Sequence, residues 1–231
     1  MKGSKGSNFE ALFKIYSLGV VTNRDVHAYA FDSQQLQRQV NKFISIYNSA
    51  VDQVKRLGSQ IDTTSLIDNN DPRIKWTRQV KASLNKALYS QYDATHLRQC
   101  LYRPFTKKTL YFDDFWNEER YKQHLFFPTV ASEVENAVII VSDHGHRSPF
   151  STLVANTISD LHLLASTDAF QCFPFYMYSE DGYNRRENIT DWALAKFQAQ
   201  YSEQVNKWDI FHYIYGLLHH PLYRDRYIEN L

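Results

Sequence analysis

The chain has 231 residues, 43% hydrophobic and 15% aromatic, with 26 basic against 25 acidic residues and a formal charge of +1. That length supports one large domain or two small ones around a substantial core, and the apolar content excludes a mainly disordered chain. The charge balance excludes a polybasic protein that grips nucleic acid over its whole surface, but it leaves room for a local basic patch.

The N-terminal MKGSKGSNFE has no apolar signal core and reads as a flexible tail over residues 1–8. No apolar run reaches the roughly 18 residues of a membrane span, so no membrane partner is predicted and a bacterial cytoplasmic location is expected. Residues 9–31 read as strand-rich, with 25–31 alternating in character. From Ser33 the period changes. Leu36, Val40, Phe43, Ile44, Tyr47, Val51 and Val54 recur at helical spacing, with Asp32 or Ser33 to cap the start and Gly58 to end the helix. A polar connection over 59–72 leads to a second predicted helix over 74–89, with Val80, Leu84, Ala87 and Leu88 as its stripe.

LRQCLYRPFTKKTLYFDD, 97–114, predicts a β-hairpin turning through Phe105-Thr106-Lys107-Lys108, with Pro104 at an edge or at the start of the turn. Residues 115–128 are irregular and aromatic. AVIIVS, 137–142, reads as a buried strand, 151–164 as strand then turn, and QCFPFYMY, 171–178, as a further strand. Residues 180–188 form a loop. Helices are predicted over 190–201, 208–219 and 221–230, the last two divided at Pro221. The fold class is α+β: central mixed or antiparallel strands, a long helix near the N-terminus and a C-terminal helical cluster. There is no internal repeat.

The chemistry-bearing residues point less to catalysis than to binding. GxGxxG, GxxxxGK[ST] and GxSxG are all absent. Cys100 and Cys172 lie in apolar surroundings that suit inert thiols, and their separation makes neither a disulfide framework nor a zinc motif. Asp143, His144 and His146, just past a buried strand, carry metal-ligand chemistry, and a metal-dependent hydrolase built on them is one alternative. A polar surface loop accounts for the same residues, and Arg147 beside them suits a phosphate.

Thr22-Asn23-Arg24-Asp25 offers Arg and Asn, the side chains best shaped for base edges, with Asp25 placed to orient Arg24. Arg103, Lys107 and Lys108, with Asn117 and Arg120 further on, fall in one basic and aromatic region, and a β-ribbon of this kind can enter a groove or hold phosphate. Ordinary turn chemistry and a charged hairpin tip explain these residues individually. Arg103 is equally suited to a buried pin for the hairpin. Arg185-Arg186 is ambiguous in the same way.

GVVTNRDVHAYAFD with Tyr47-Asn48, YRPFTKKTLYFDDFWNEERY, ISDLHLL, QCFPFYMY, NITDWAL and DIFHYIYGLLHHPLYRDRYIENL together resemble the C-terminal specificity region of type ISP restriction–modification enzymes. Those are single polypeptides with nuclease, helicase, adenine methyltransferase and specificity parts. The resemblance implies a non-catalytic target-recognition domain over 9–231, ending early at its C-terminus, that reads double-stranded DNA. Thr22, Asn23, Arg24, Arg103, Lys107, Lys108, Asn117, Arg120 and Arg147 are the contact candidates. Its partners would be the methyltransferase and helicase parts of the parent enzyme. S-adenosylmethionine, ATP and Mg belong to those parts, and none is expected for this chain. A module that docks the methyltransferase part is the other alternative.

Overall fold

Asp32 starts the longest helix. Its carboxylate accepts from the backbone N–H groups of Gln34 and Gln35 at 3.2 and 2.9 Å, which satisfies two donors that the first turn leaves open. The helix runs Ser33–Leu57 and stops at Gly58, whose φ of 83° is a conformation glycine tolerates best. All seven apolar positions read from its sequence are buried.

The computed structural model describes residues 10–58, 62–143, 147–165 and 168–231. These fall into two compact units, one formed by Val20–Arg120 and the other by Met1–Gly19 with Tyr121–Leu231.

The Val20–Arg120 unit contains α1 (Asp25–Ala28), β1 (Tyr29–Ala30), the long helix α2 (Ser33–Leu57), α3 (Arg78–Asn85), β2 (Leu97–Arg103) and β3 (Thr106–Tyr111). β3 pairs antiparallel with both β1 and β2, and α2 packs on β3. Its core is aromatic: Trp116 meets Phe43 at 4.5 Å and Tyr111 at 5.3 Å between ring centroids, and Tyr47 meets Phe115 at 4.7 Å. Tyr47 and Asn48 use their polar ends to hold the chain after α3. The Tyr47 hydroxyl donates to Leu88 O at 2.7 Å, and the Asn48 amide bonds both N and O of Ser90 at 3.0 and 2.9 Å.

Two expectations change here. Residues 9–31 are not strand-rich: among the described residues from 10 on, the one strand is Tyr29–Ala30, and Phe13 and Ser17 form isolated bridges. Val21 forms a single bridge to Glu119, and Arg24 O then accepts from His27 N and Ala28 N, which winds 25–28 into a helical turn. The alternation misled because Val26 and Phe31 face solvent rather than a core. The second helix is shorter than 74–89. Ile74 and Trp76 are buried from a segment ahead of it, and Ala87 at φ 49° lies beyond its end.

The other unit contains α4 (Gln123–Phe126), α5 (Val130–Glu135), β4 (Val138–Ser142), β5 (Thr152–Ala155), β6 (Ile158–Ser159), β7 (Phe170–Pro174), β8 (Tyr176–Met177), β9 (Arg186–Glu187), α6 (Asp191–Gln200), α7 (Lys207–His219) and α8 (Pro221–Arg226). β4 lies between β5 and β7, antiparallel to both, and all five of its residues are buried: four apolar residues in a row, then Ser142, whose hydroxyl accepts from Ser151 N at 3.0 Å. Ile139, Val141, Phe173, Phe175 and Ile189 join Ile210, Phe211, Ile214 and Leu218 of α7 in one core.

Asn188, fully buried, ties the N-terminal segment into this unit: its side chain accepts from Ile15 N at 2.8 Å and donates to Ile15 O and Pro174 O at 2.9 Å each. Thr190 caps α6 by accepting from Ala193 N at 3.0 Å. Gly19 is needed for contact rather than for φ, since a Cβ there would lie 2.6 Å from the backbone of Asp160. Among the described residues no helix is long and apolar enough to cross a membrane.

Candidate nucleic-acid interface

Thr22-Asn23-Arg24-Asp25 folds as a turn with an inward and an outward half. Asp25 does not pair with Arg24 as its sequence position suggested. One of its oxygens accepts from the Thr22 hydroxyl, the other from the Tyr102 hydroxyl at 2.9 Å. The Thr22 hydroxyl oxygen also accepts from Arg24 N at 3.2 Å, and the Thr22 side chain is enclosed. Asn23 sits exposed at the tip, at φ 51°. Asn is one of the few non-glycine residues that adopt this conformation readily.

Arg24 turns inward and is 2% exposed. Its guanidinium donates to the Thr77 hydroxyl ahead of α3 and lies 5.5 and 5.7 Å from the ring centroids of Phe43 and Trp116. Desolvation lowers its pKa to about 10, against an opposing pull from the Glu118 and Asp113 carboxylates. An Arg stacked on two aromatic rings inside a unit makes packing contacts that a base-reading Arg would not.

The hairpin places its basic residues differently from the sequence expectation. Its turn is Pro104-Phe105, between the paired residues Arg103 and Thr106, so Lys107 and Lys108 belong to β3 rather than to the loop. Proline fixes the first central residue and Phe105 takes φ 64° at the second, where glycine or asparagine is the usual choice. Strain of this kind costs about 1–3 kcal/mol. A register shift between Leu101 and Arg103 accompanies the turn.

Arg103 is half-buried, not a core pin. Its guanidinium carbon stands 4.0 Å from the Tyr102 ring centroid. Lys108 Nζ lies 3.8 Å from the same ring and 5.1 Å from that of Phe31. Tyr102 therefore holds two cations by its ring and the Asn23 turn, through Asp25, by its hydroxyl. Lys107 is exposed. The Tyr102 ring holds Lys108 without neutralising it, and Lys107 is exposed, so lysine charge faces outward on this strand.

The remaining candidates lie elsewhere. Asn117 is buried, accepting from Asp113 N at 3.1 Å and donating to Tyr111 O at 3.1 Å. Arg120 pairs with Asp114 and stands 5.2 Å from the Phe112 ring. Arg147, in the second unit, has a side chain 68% exposed, but its guanidinium grips Asp168 at 2.8 and 2.9 Å. Arg185 pairs with Glu135 at 2.5 Å and stacks on Tyr176 at 4.5 Å, while Arg186 is exposed in β9.

Among the described residues no group of three His, Cys, Asp or Glu side chains could hold a metal ion. The Asp143 carboxylate accepts from the Gln171 side chain. His144 and His146 lie outside the described residues. Cys172 is buried against the Gln123 amide at 3.3 Å, and burial pushes its pKa up to about 12.

Two features escaped the sequence reading. Phe105 has the sequence signature of an ordinary loop residue, although a Pro-Phe turn without glycine signals strain. Tyr102 was not singled out, since nothing local marks a tyrosine that supports both a turn and a hairpin.

The family model that matches is the Type ISP C-terminal specificity domain, over residues 11–231. Three solved structures are similar. A DrdV–DNA complex is 36% identical with a TM-score of 0.84, over 99% of this chain and 22% of that one. A nuclease-deletion mutant of the Type ISP restriction–modification enzyme LlaGI, bound to a DNA substrate mimic, is 29% identical at a TM-score of 0.81, over 97% and 20%. The ATP-dependent Type ISP restriction–modification enzyme LlaBIII, bound to DNA, is 26% identical at 0.82, over 99% and 14%. No curated protein matches. The chain thus spans about a fifth or less of the length of these relatives. With the family model covering nearly its whole length, the chain belongs to the Type ISP C-terminal specificity domain family.

Proposed function

We propose that this chain is the target-recognition module of a restriction–modification enzyme, that it binds double-stranded DNA in a sequence-dependent way, and that it is itself non-catalytic. The observation that carries the reading is the surface shared by Asn23, Arg103, Lys107 and Lys108, where Tyr102 supports two cations and, through Asp25, the turn that presents Asn23. Phosphate contacts set position and base-edge contacts set sequence. Lys107, Lys108 and Arg103 suit the first role, and Asn23, able to bond adenine in two places, suits the second. Thr22, Arg24 and Asn117 support this surface from inside. Arg120 and Arg147 reach DNA only by leaving their aspartates. The DNA complexes of the similar structures point the same way.

In this reading the methyltransferase and helicase parts are the partners, and S-adenosylmethionine, ATP and Mg act there, in the cytoplasm of a bacterium. Docking to those parts is a second role compatible with the first. Val130 and Val134, four apart on α5 and 60% and 85% exposed, form an apolar strip suited to it. The test of DNA binding is an anisotropy titration of a labelled duplex pool with the purified chain at rising salt. Binding that weakens steeply with salt supports the reading. Binding that is absent at low salt, and remains absent when the methyltransferase part is added, removes it.

A further inference from the structure

The hairpin tip combines three properties that the binding role above does not require. Phe105 is 101% exposed, so its ring touches almost nothing in the chain. It occupies φ 64°, where a glycine would relieve strain. It also leads a strand carrying Lys107 and Lys108 and directly follows Arg103 and Pro104, so an apolar tip is ringed by cations. A ring held in a strained, fully solvated position stabilises no fold. The surrounding charge selects a polyanion rather than an apolar protein surface as its partner.

We infer that Phe105 is a wedge that inserts between two base pairs of the bound duplex and unstacks that step, while Lys107 on the strand behind it holds a flanking phosphate. Apolar side chains placed this way kink DNA by about 20–90°. The wedge rests on the proposed DNA-binding function and adds a recognition element to it, because the cost of unstacking depends on the step, and pyrimidine–purine steps open most easily. Phe105 would thereby read sequence through deformability, without a hydrogen bond.

The test uses the 231-residue chain and the duplex it selects from a random pool. Bend is read by energy transfer between the duplex ends, and unstacking by permanganate reactivity of thymines. Three forms are compared: the unmodified chain, Phe105→Gly and Phe105→Leu. Glycine is expected to raise the melting temperature by removing strain, to abolish bend and reactivity, and to weaken binding on the order of tenfold. Leucine keeps an apolar wedge and is expected to keep the bend. The salt dependence should be the same in all three, since no cation is lost. An unmodified chain that binds its duplex without bend or reactive thymine overturns the wedge and leaves DNA recognition standing. So does a bend that persists in Phe105→Gly. A chain that selects and binds no duplex, alone or with the methyltransferase part added, overturns both.

Discussion

The Tyr102 hydroxyl donates to the Asp25 carboxylate at 2.9 Å, joining the hairpin to the turn that carries Asn23. Removing the hydroxyl in Tyr102→Phe should cost about 1 kcal/mol in urea unfolding, the net worth of one half-buried hydrogen bond. The ring stays, and with it the contacts to Arg103 and Lys108. A double-mutant cycle with Asp25→Ala should show coupling of at least about 0.5 kcal/mol. Additive losses would mean that the two side chains do not act together.

Arg24 separates support from readout. Arg24→Ala leaves a gap beside Phe43 and Trp116 and should cost about 3 kcal/mol of stability. Arg24→Met keeps the stem without burying a charge, and should stay within about 1.5 kcal/mol of the unmodified chain with its DNA preference intact. A Met variant that folds normally but loses preference at one base position would return Arg24 to the interface.

Asn23→Gly is the clean test of base contact, because glycine accepts φ 51° without strain. Stability should hold or rise slightly, while preference at one base pair relaxes by about 1–3 kcal/mol. Lys107→Ala should act on every sequence alike and reduce the slope of log K against log salt by about one unit. Equal losses across all sequences for Asn23→Gly would show that it holds phosphate instead.

His27 gives the Val20–Arg120 unit a pH dependence. Its pKa is lowered by burial first, then by the charges of Arg24 and Lys75. The unfolded chain therefore takes up this proton more readily than the folded one. The His27 contribution is fully present above about pH 6.5 and declines as pH falls from there through the lowered pKa. The urea midpoint, followed from pH 8 to pH 5, should drop less steeply in His27→Gln than in the unmodified chain.

Cys100 and Cys172 are both buried, and the raised pKa of Cys172 leaves negligible thiolate at neutral pH. A disulfide reagent such as DTNB should label neither in the native chain and both in urea. Fast native labelling would mean that β2 or β7 opens readily.

What could be read from the sequence follows the range of the interactions involved. α2, its start at Asp32 or Ser33 and its Gly58 stop are local patterns legible in the sequence, as is β4. The hairpin was legible too, but its turn fell two residues early because Pro104 outweighed the missing glycine. The inward turn of Arg24 is not legible in the sequence because Thr77, whose hydroxyl it meets, is 53 residues away. The partners of Asn117 and Thr22 are near in sequence, but polar side chains that satisfy buried backbone or carboxylate groups look the same in sequence as those that face a ligand. The resemblance of scattered motifs supplied what local chemistry did not. In the structure, two of them hold the core of their unit, through Asn188 of NITDWAL and Phe211 of DIFHYIYGLL.

The central claim is sequence-dependent recognition of duplex DNA by this chain. Its most direct test is repeated selection of random-sequence duplexes on the purified protein at low salt, followed by sequencing. The account predicts enrichment of one short motif, weakened at a single position in Asn23→Gly. Retention of duplexes with no enriched motif, in the chain alone and with the methyltransferase part present, would contradict it.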